Sequence, residues 1–253
     1  MAMMQAAKTL LVTGGSRGIG AAICRLAADA GYRVAVNYVA NPDAAETVVR
    51  DIEQAGGEAF AVQADMAEES DILAMYEMVD QRFGRLDALV NNAGIVDRKA
   101  RVDEMDLARF ERMMRINVIG TMLCAREAVK RMSTRHGGKG GAIVNISSIA
   151  AVLGSAGEYV DYAASKAAVD TFTMGLAREV AEEGIRVNAV RPGITDTEIH
   201  ASGGQPDRAQ RLSGLIPMKR PGTAEEIARA ALWLLSDEAS YSTGAILNVS
   251  GGR

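Results

Sequence analysis

Two patterns alternate along this chain, and their alternation limits what it can fold into. Seven short apolar runs recur: Thr9–Val12, Arg33–Asn37, Glu58–Gln63, Ala88–Asn91, Ala142–Ile146, Arg186–Val190 and Ala245–Val249. Several carry Val, Ile and Leu at consecutive positions, so both faces of the strands they form must be covered. Between them lie stretches with helical patterning: Gly20–Ala30, Asp43–Ala55, Glu69–Phe83, Asp106–Met132, Tyr162–Glu183 and Ala224–Ser236. Gly31, Gly56, Gly84 and Gly184 stand where a helix should stop. Thr223 is placed to cap the last helix. Strand and helix in turn, joined by short glycine turns, predict an α/β fold with a doubly wound, mostly parallel seven-stranded sheet and helices on both faces. Ligands of such sheets bind beyond the carboxyl ends of the strands. Residues that follow each apolar run are therefore the first candidates for a site.

The chain has 253 residues and a net charge of −4. That length suits a single domain, 1–253, with the irregular stretch Pro192–Pro221 as a lid. The lid contains His200, Gly203, Gly204, Pro206 and Pro217. The densest basic stretch, Lys130–Lys139, reads as a helix end and a loop, so neither nucleic acid nor a membrane surface is an expected partner. Cys24 and Cys124 are far apart and read as packed thiols. With only His136 and His200 beside them, no spacing supports a metal site. No apolar run reaches the roughly 18 residues of a membrane span. The opening MAMMQAAKTLLV lacks the shape of a signal peptide, so a cytoplasmic location is expected.

Thr13-Gly14-Gly15-Ser16-Arg17-Gly18-Ile19-Gly20 joins the first strand to the first helix. Glycines permit a tight turn and close approach of the backbone to a pyrophosphate. The helix start adds free N–H groups and partial positive charge. The second strand ends in Asn37, where sites that prefer NAD usually carry Asp or Glu for the ribose hydroxyl. Asn does not repel a 2′-phosphate, and Arg17 offers it a planar cation. Both point to NADP as the cofactor.

The turn resembles the TGxxxGxG motif of the short-chain dehydrogenase/reductase family. The resemblance implies a Rossmann-type fold in which Gly14, Ser16, Arg17, Gly18, Ile19 and Gly20 line the cofactor. Asn91-Asn92-Ala93-Gly94 resembles the family's NNAG motif, which adds Asn92, Ala93 and Gly94. Asp65 and Met66 follow the third strand, where the family meets the adenine ring. From its residue type alone, Asp65 reads equally as a helix cap. Pro192, Gly193, Ile194 and Thr197 follow the sixth strand, where the family touches the carboxamide and phosphates.

Tyr162-Ala163-Ala164-Ser165-Lys166 is similar to the family's YxxxK. Residues four apart share a helix face, so the Lys166 ammonium should approach the Tyr162 phenol and lower its pKa. Tyr162 could then act as a general acid or base, and the resemblance adds that Lys166 holds the nicotinamide ribose. Tyr159 lacks a lysine four residues on. Ile146-Ser147-Ser148 ends the fifth strand, where the family places a catalytic serine. Ser148 is the motif match and Ser147 the alternative. Asn117 matches the family's helix asparagine beside the lysine, and otherwise reads as a buried polar group.

These motifs imply an NADP-dependent oxidoreductase acting on a small-molecule carbonyl or alcohol. The chain is similar to 3-oxoacyl-carrier-protein reductases and, around Gly154–Tyr159, to glucose 1-dehydrogenases. Arg126, Lys130, Arg131 and Arg178 are the candidates for docking a carrier protein. A regulator that binds NADP without turnover is the alternative of a different class, opposed by the intact Ser148, Tyr162 and Lys166. The helices Asp106–Met132 and Tyr162–Glu183 have apolar faces that could pair across a two-fold axis, and the resemblance implies a homotetramer. Met113, Met114, Met122 and Trp233 read as core or interface, with core preferred for each. Arg135–Gly141 departs from the family pattern and reads as a longer surface loop.

Overall fold

The computed structural model describes residues 7–198 and 203–253, so His200 lies outside the described residues. Seven strands are present: β1 (Thr9–Val12), β2 (Arg33–Tyr38), β3 (Ala59–Gln63), β4 (Ala88–Asn91), β5 (Gly141–Ile146), β6 (Ile185–Pro192) and β7 (Ile246–Val249). They form one sheet in the order β3-β2-β1-β4-β5-β6-β7, and every pairing is parallel. The chain moves outward from β1 to β3, then returns to place β4 on the other side of β1. This reversal opens a crevice at the carboxyl ends of β1 and β4.

Helices cover both faces. Leu10, Val12, Val34, Val36 and Val144 pack with Ile23 of α1 (Gly18–Asp29), Val48 and Ile52 of α2 (Pro42–Gln54), and a C-terminal helix described below. Leu11, Leu89, Ile143 and Val187 point the other way. They meet Met75 and Tyr76 of α3 (Glu69–Phe83), Cys124 and Met132 of α5 (Thr121–Met132), and Ala177 of α7 (Val160–Val180). Leu10, Leu11 and Val12 are all fully buried, as strands covered from both sides require. Cys24 and Cys124 are free, buried thiols.

The long helix expected over Asp106–Met132 is interrupted. α4 (Leu107–Met114) runs into a wide π turn, Arg115–Gly120, before α5 begins. At the turn, the Thr121 hydroxyl donates to the Asn117 carbonyl at 2.9 Å. Gly120 lies so close to the Met66 carbonyl that a Cβ would come within 2.5 Å of its oxygen. Three further elements are single turns, too short to show periodicity: Val102–Glu104, α6 (Ala150–Leu153) and α8 (Arg208–Arg211). The last helix, α9 (Ala224–Leu235), starts from Thr223 as the sequence predicts.

The core assignment needs correction at three methionine and tryptophan positions. Met113 is buried, but Met114, Met122 and Trp233 are 40%, 37% and 42% exposed. The α4–α5 path is apolar on more than one side, and only one side faces the sheet. The glycine-rich stretch before β5 is compact. Gly138 donates its N–H to the Ser133 carbonyl and Gly140 to that of Met132, at 2.8 Å each.

Candidate active site

The glycine turn begins with two residues in left-handed conformation, Gly14 at φ +61° and Gly18 at φ +51°. A Cβ on Gly20 would lie 2.2 Å from the Gly14 carbonyl oxygen, so position 20 admits no side chain. β4 locks this turn from the side. Thr13 Oγ1 accepts the backbone N–H groups of Asn92 and Ala93 at 3.0 Å each. The Asn92 amide donates to the carbonyls of Thr13 and Gly14 at 3.0 and 2.9 Å. α1 then starts with extended Arg17 at its N-cap, no capping side chain and no acidic residue in the first turn. No N-cap side chain meets its orphan N–H groups, which fits the pyrophosphate of a dinucleotide, although the Glu198 carboxylate stands beside Gly18, 3.4 Å from where a Cβ would lie. Ser16 is half-buried beside this start and Arg17 is exposed.

Asn37 holds a different place from the one the ribose argument gave it. Its side chain is 2% exposed. Its Oδ1 accepts the Gly14 N–H at 2.9 Å, and its Nδ2 donates to the Ala64 carbonyl at 3.1 Å. It is a brace for the glycine turn, because a strand-end amide with both ends occupied cannot also reach a ribose. Asp65 caps the turn that leads to α3, accepting the Ala67 N–H at 2.8 Å, and Met66 is buried.

Ser148, Tyr162 and Lys166 converge on one cleft of about 450 Å³ at the carboxyl ends of the strands. The sequence-predicted Ile19, Asn92, Gly94, Pro192, Gly193, Ile194 and Thr197 also line it. Gly14, Gly18, Gly20, Asn37, Asp65, Met66, Ala93 and Asn117 lie outside its wall. Ser148 stands in the same cleft wall as Tyr162, and its hydroxyl accepts the Ala150 N–H at 3.1 Å. Ser147 also contributes to the cleft wall, but it is buried and its hydroxyl is engaged, donating to the Lys166 carbonyl at 3.2 Å.

Lys166 Nζ lies 5.7 Å from the centre of the Tyr162 ring and donates to the Ile146 carbonyl at 2.8 Å. Burial pushes Tyr162 above the usual tyrosine value, and the Ser148 hydroxyl works against that. This corrects the expectation of a phenol lowered by its lysine: desolvation of the buried phenolate sets the direction, and the lysine is not among the groups that oppose it. Burial also pushes Lys166 down to about 8, with the Asp170 charge opposing. Asn117 is fully buried in the π turn. Its amide accepts the Ile95 N–H at 2.8 Å and donates to Ser165 Oγ at 3.1 Å, tying the loop after β4 to the tyrosine helix. A Cβ on Gly94 would lie 3.3 Å from Lys166 Nζ and 3.4 Å from Asn117 Oδ1. Glycine there keeps the path to the lysine open.

The sequence reading missed much of the outer wall. Val96, Leu153, Ala156, Tyr159, Arg208, Leu212 and Leu215 line the cleft, as does the C-terminal Arg253. Tyr159, which lacks a lysine partner, has its hydroxyl bonded by the Gln205 amide. Arg208 pairs with Glu158 at 2.7 Å. No local pattern marks these residues, because they meet only when the irregular stretch folds back over the sheet. Three of the four basic candidates for carrier docking are engaged with carboxylates, while Arg178 is exposed with no ion pair among the described residues. Arg126 pairs with Glu69 and Glu127, Lys130 with Glu127, and Arg131 with Asp80 and Glu127.

Comparison with known proteins agrees with this architecture. The sequence profile of the family described as enoyl-(acyl carrier protein) reductase matches residues 14–253. An uncharacterized oxidoreductase of Escherichia coli, YgfF, is 56% identical over 96% of this chain and 98% of its own. A 3-oxoacyl-[acyl-carrier-protein] reductase, FabG, of Staphylococcus aureus is 39% identical over 98% of this chain and 99% of its own. A crystal structure of a dehydrogenase/reductase from Sinorhizobium meliloti superimposes with a TM-score of 0.90 at 38% identity, covering 98% of this chain and 95% of that one. The chain belongs to the short-chain dehydrogenase/reductase family and is an oxidoreductase of that family, which works with nicotinamide cofactors. Among the described residues no helix is long and apolar enough to cross a membrane.

Proposed function

We propose that the protein is an NADP-dependent reductase of small carbonyl compounds, with Tyr162 as proton donor. One observation carries this reading. Ser148, Tyr162 and Lys166 share the wall of one cleft, beside an uncapped helix start. A nicotinamide cofactor bound there supplies the hydride. The Ser148 hydroxyl holds the substrate oxygen and stabilises its developing charge. Tyr162 donates its proton to that oxygen. Burial pushes its ionisation up, so the phenol carries its proton at neutral pH and can give it to the substrate oxygen. Lys166 holds the ribose side of the cofactor and, with Asn117 bracing its surroundings, supports return of the proton.

Gly14, Ser16, Arg17, Gly18, Ile19 and Gly20 receive the pyrophosphate in this reading, and Arg17 answers a 2′-phosphate. Asn37 contributes by carrying no negative charge beside the turn. The apolar wall formed by Val96, Leu153, Ala156, Leu212 and Leu215 suits a ketone with a hydrophobic body better than a sugar. The described part of 192–221 serves as a cover for that substrate. The pairing of Arg126, Lys130 and Arg131 disfavours docking of a carrier protein at that face. Exposed Leu107, Met114, Ile119, Met122 and Met174 supply an apolar face on the α4–α5 and α7 helices for a homotetramer in the cytoplasm.

Tyr162→Phe tests the reading. Turnover of ketones should fall by roughly 10²–10⁴-fold, with NADPH affinity retained; normal turnover would refute the assignment. Arg17→Ala should weaken NADP by about tenfold and NAD far less, measured by titration calorimetry. Equal losses would remove the case for NADP.

A further inference from the structure

We propose that Asp170, held in place by Arg191, is a positioning residue that keeps Lys166 charged from one helical turn away. The idea rests on the reading of Tyr162 and Lys166 given above. Tyr162, Lys166 and Asp170 follow at four-residue spacing along α7, which puts them on one face of the helix. Lys166 and Asp170 are 5% and 4% exposed. Arg191, at the end of β6, brings both Nε and Nη2 to a single carboxylate oxygen, Oδ2, at 2.8 Å each. The other oxygen, Oδ1, is buried and has no hydrogen-bond partner among the described residues.

A guanidinium normally grips a carboxylate with one donor on each oxygen. Here the grip is one-sided: Arg191 offsets the charge, and the buried Oδ1 is left without a hydrogen bond. A buried carboxylate held this way keeps a field that a second cation can use. Lys166, one helical turn back on the same face, is placed to be that cation. Burial alone drives its ammonium towards the neutral amine, and the Asp170 charge opposes the drive.

The other groups around Lys166 are neutral. Tyr162 comes from its own helix, Ile146 and Ser147 from β5, Asn117 from the π turn and Gly94 from the loop after β4. Asp161, at the start of α7, is already consumed by a two-point pair with Arg109 at 2.7 and 3.1 Å. Arg191 precedes Pro192 and Gly193, which line the cleft. The pair therefore also fixes the end of β6 against the helix that carries the lysine.

The test reads the lysine itself. In full-length protein carrying ¹³C at the lysine ε carbon, the Lys166 resonance is assigned by its loss in Lys166→Arg and titrated with pH. Asp170→Asn should lower the midpoint by about one pH unit, and Asp170→Glu should restore it. Arg191→Gln frees the carboxylate for Lys166 and should raise the midpoint. Opposite movements in the two variants are not expected of a merely structural pair. An unmoved midpoint in folded Asp170→Asn overturns the proposal, and if that variant does not fold, an unmoved or lowered midpoint in Arg191→Gln does so. The alkaline limb of turnover should follow the midpoint. A midpoint that moves while the limb stays fixed supports the Asp170 role and refutes the catalytic reading of Lys166.

Discussion

Two helices of this protein pack against each other on the same face of the sheet, yet they begin in opposite ways. α9 closes its own start: Thr223 accepts the Glu226 N–H at 3.2 Å, and Glu226 accepts the Thr223 N–H at 2.9 Å. Arg220 then holds the Glu226 carboxylate at 2.6 Å. α1 has none of this. Its cap position is an arginine with no capping bond, its first turn holds no acid, and nothing among the described residues pairs with Arg17. The same helix geometry leaves the same orphan N–H groups in both places. Side chains satisfy them at α9, and a bound anion satisfies them at α1 on the reading proposed here. An uncapped helix start beside a glycine turn is thus a feature with a purpose, while a capped one is part of the scaffold.

The comparison can be broken deliberately. Arg17→Asp would give α1 a cap of the kind α9 already has. NADP affinity should then fall by about 100-fold, because the carboxylate takes the donors and repels the phosphates. Thermal stability should stay level or rise, and the pair of measurements, calorimetric titration and melting, separates a closed site from a damaged fold. A fall in both would show that α1 was never open for a ligand. The converse is smaller. Thr223→Ala should cost about 1 kcal/mol of stability by denaturant unfolding and leave cofactor affinity and turnover unchanged. A loss of cofactor affinity there would erase the distinction between the two helices.

The smallest effect concerns pH. Arg220, and then the Thr223 backbone, hold the Glu226 carboxyl down at about 2. A depressed carboxyl contributes its stability above the ordinary carboxylate range, and that contribution is lost as pH falls through the lowered value. The melting-temperature gap between the protein and its Glu226→Gln variant should be present at pH 6 and shrink steadily towards pH 2. A gap independent of pH would mean that the carboxylate charge has no part in closing α9. The pair lies at the surface, so the gap is also expected to narrow with salt.

How far the sequence could be read follows from the length of each signal. Several strands carry consecutive branched aliphatic residues, and the limits of all seven fall within two residues of the apolar runs that predict them. Glu69–Phe83 matches at both ends because Gly84 stops it in a left-handed turn. The π turn at Arg115–Gly120 was invisible, since it keeps the helical pattern while altering the hydrogen bonds. Asn37 shows the limit at a single residue. Its chemistry suggested a ribose contact, but the brace it forms depends on where Gly14 and Ala64 come to lie. Tyr159 was set aside for want of a lysine partner, yet it stands in the same cleft wall as Tyr162.

The sequence by itself determined the layering of the protein and the identity of its reactive groups. Apolar periodicity and glycine stops act over a few residues, and they need no partner elsewhere in the chain. Only the tertiary structure decided which of two adjacent serines has its hydroxyl engaged by the backbone, and whether a tyrosine is raised or lowered by its surroundings. Those properties depend on burial and on contacts between separate elements, and no local pattern encodes either.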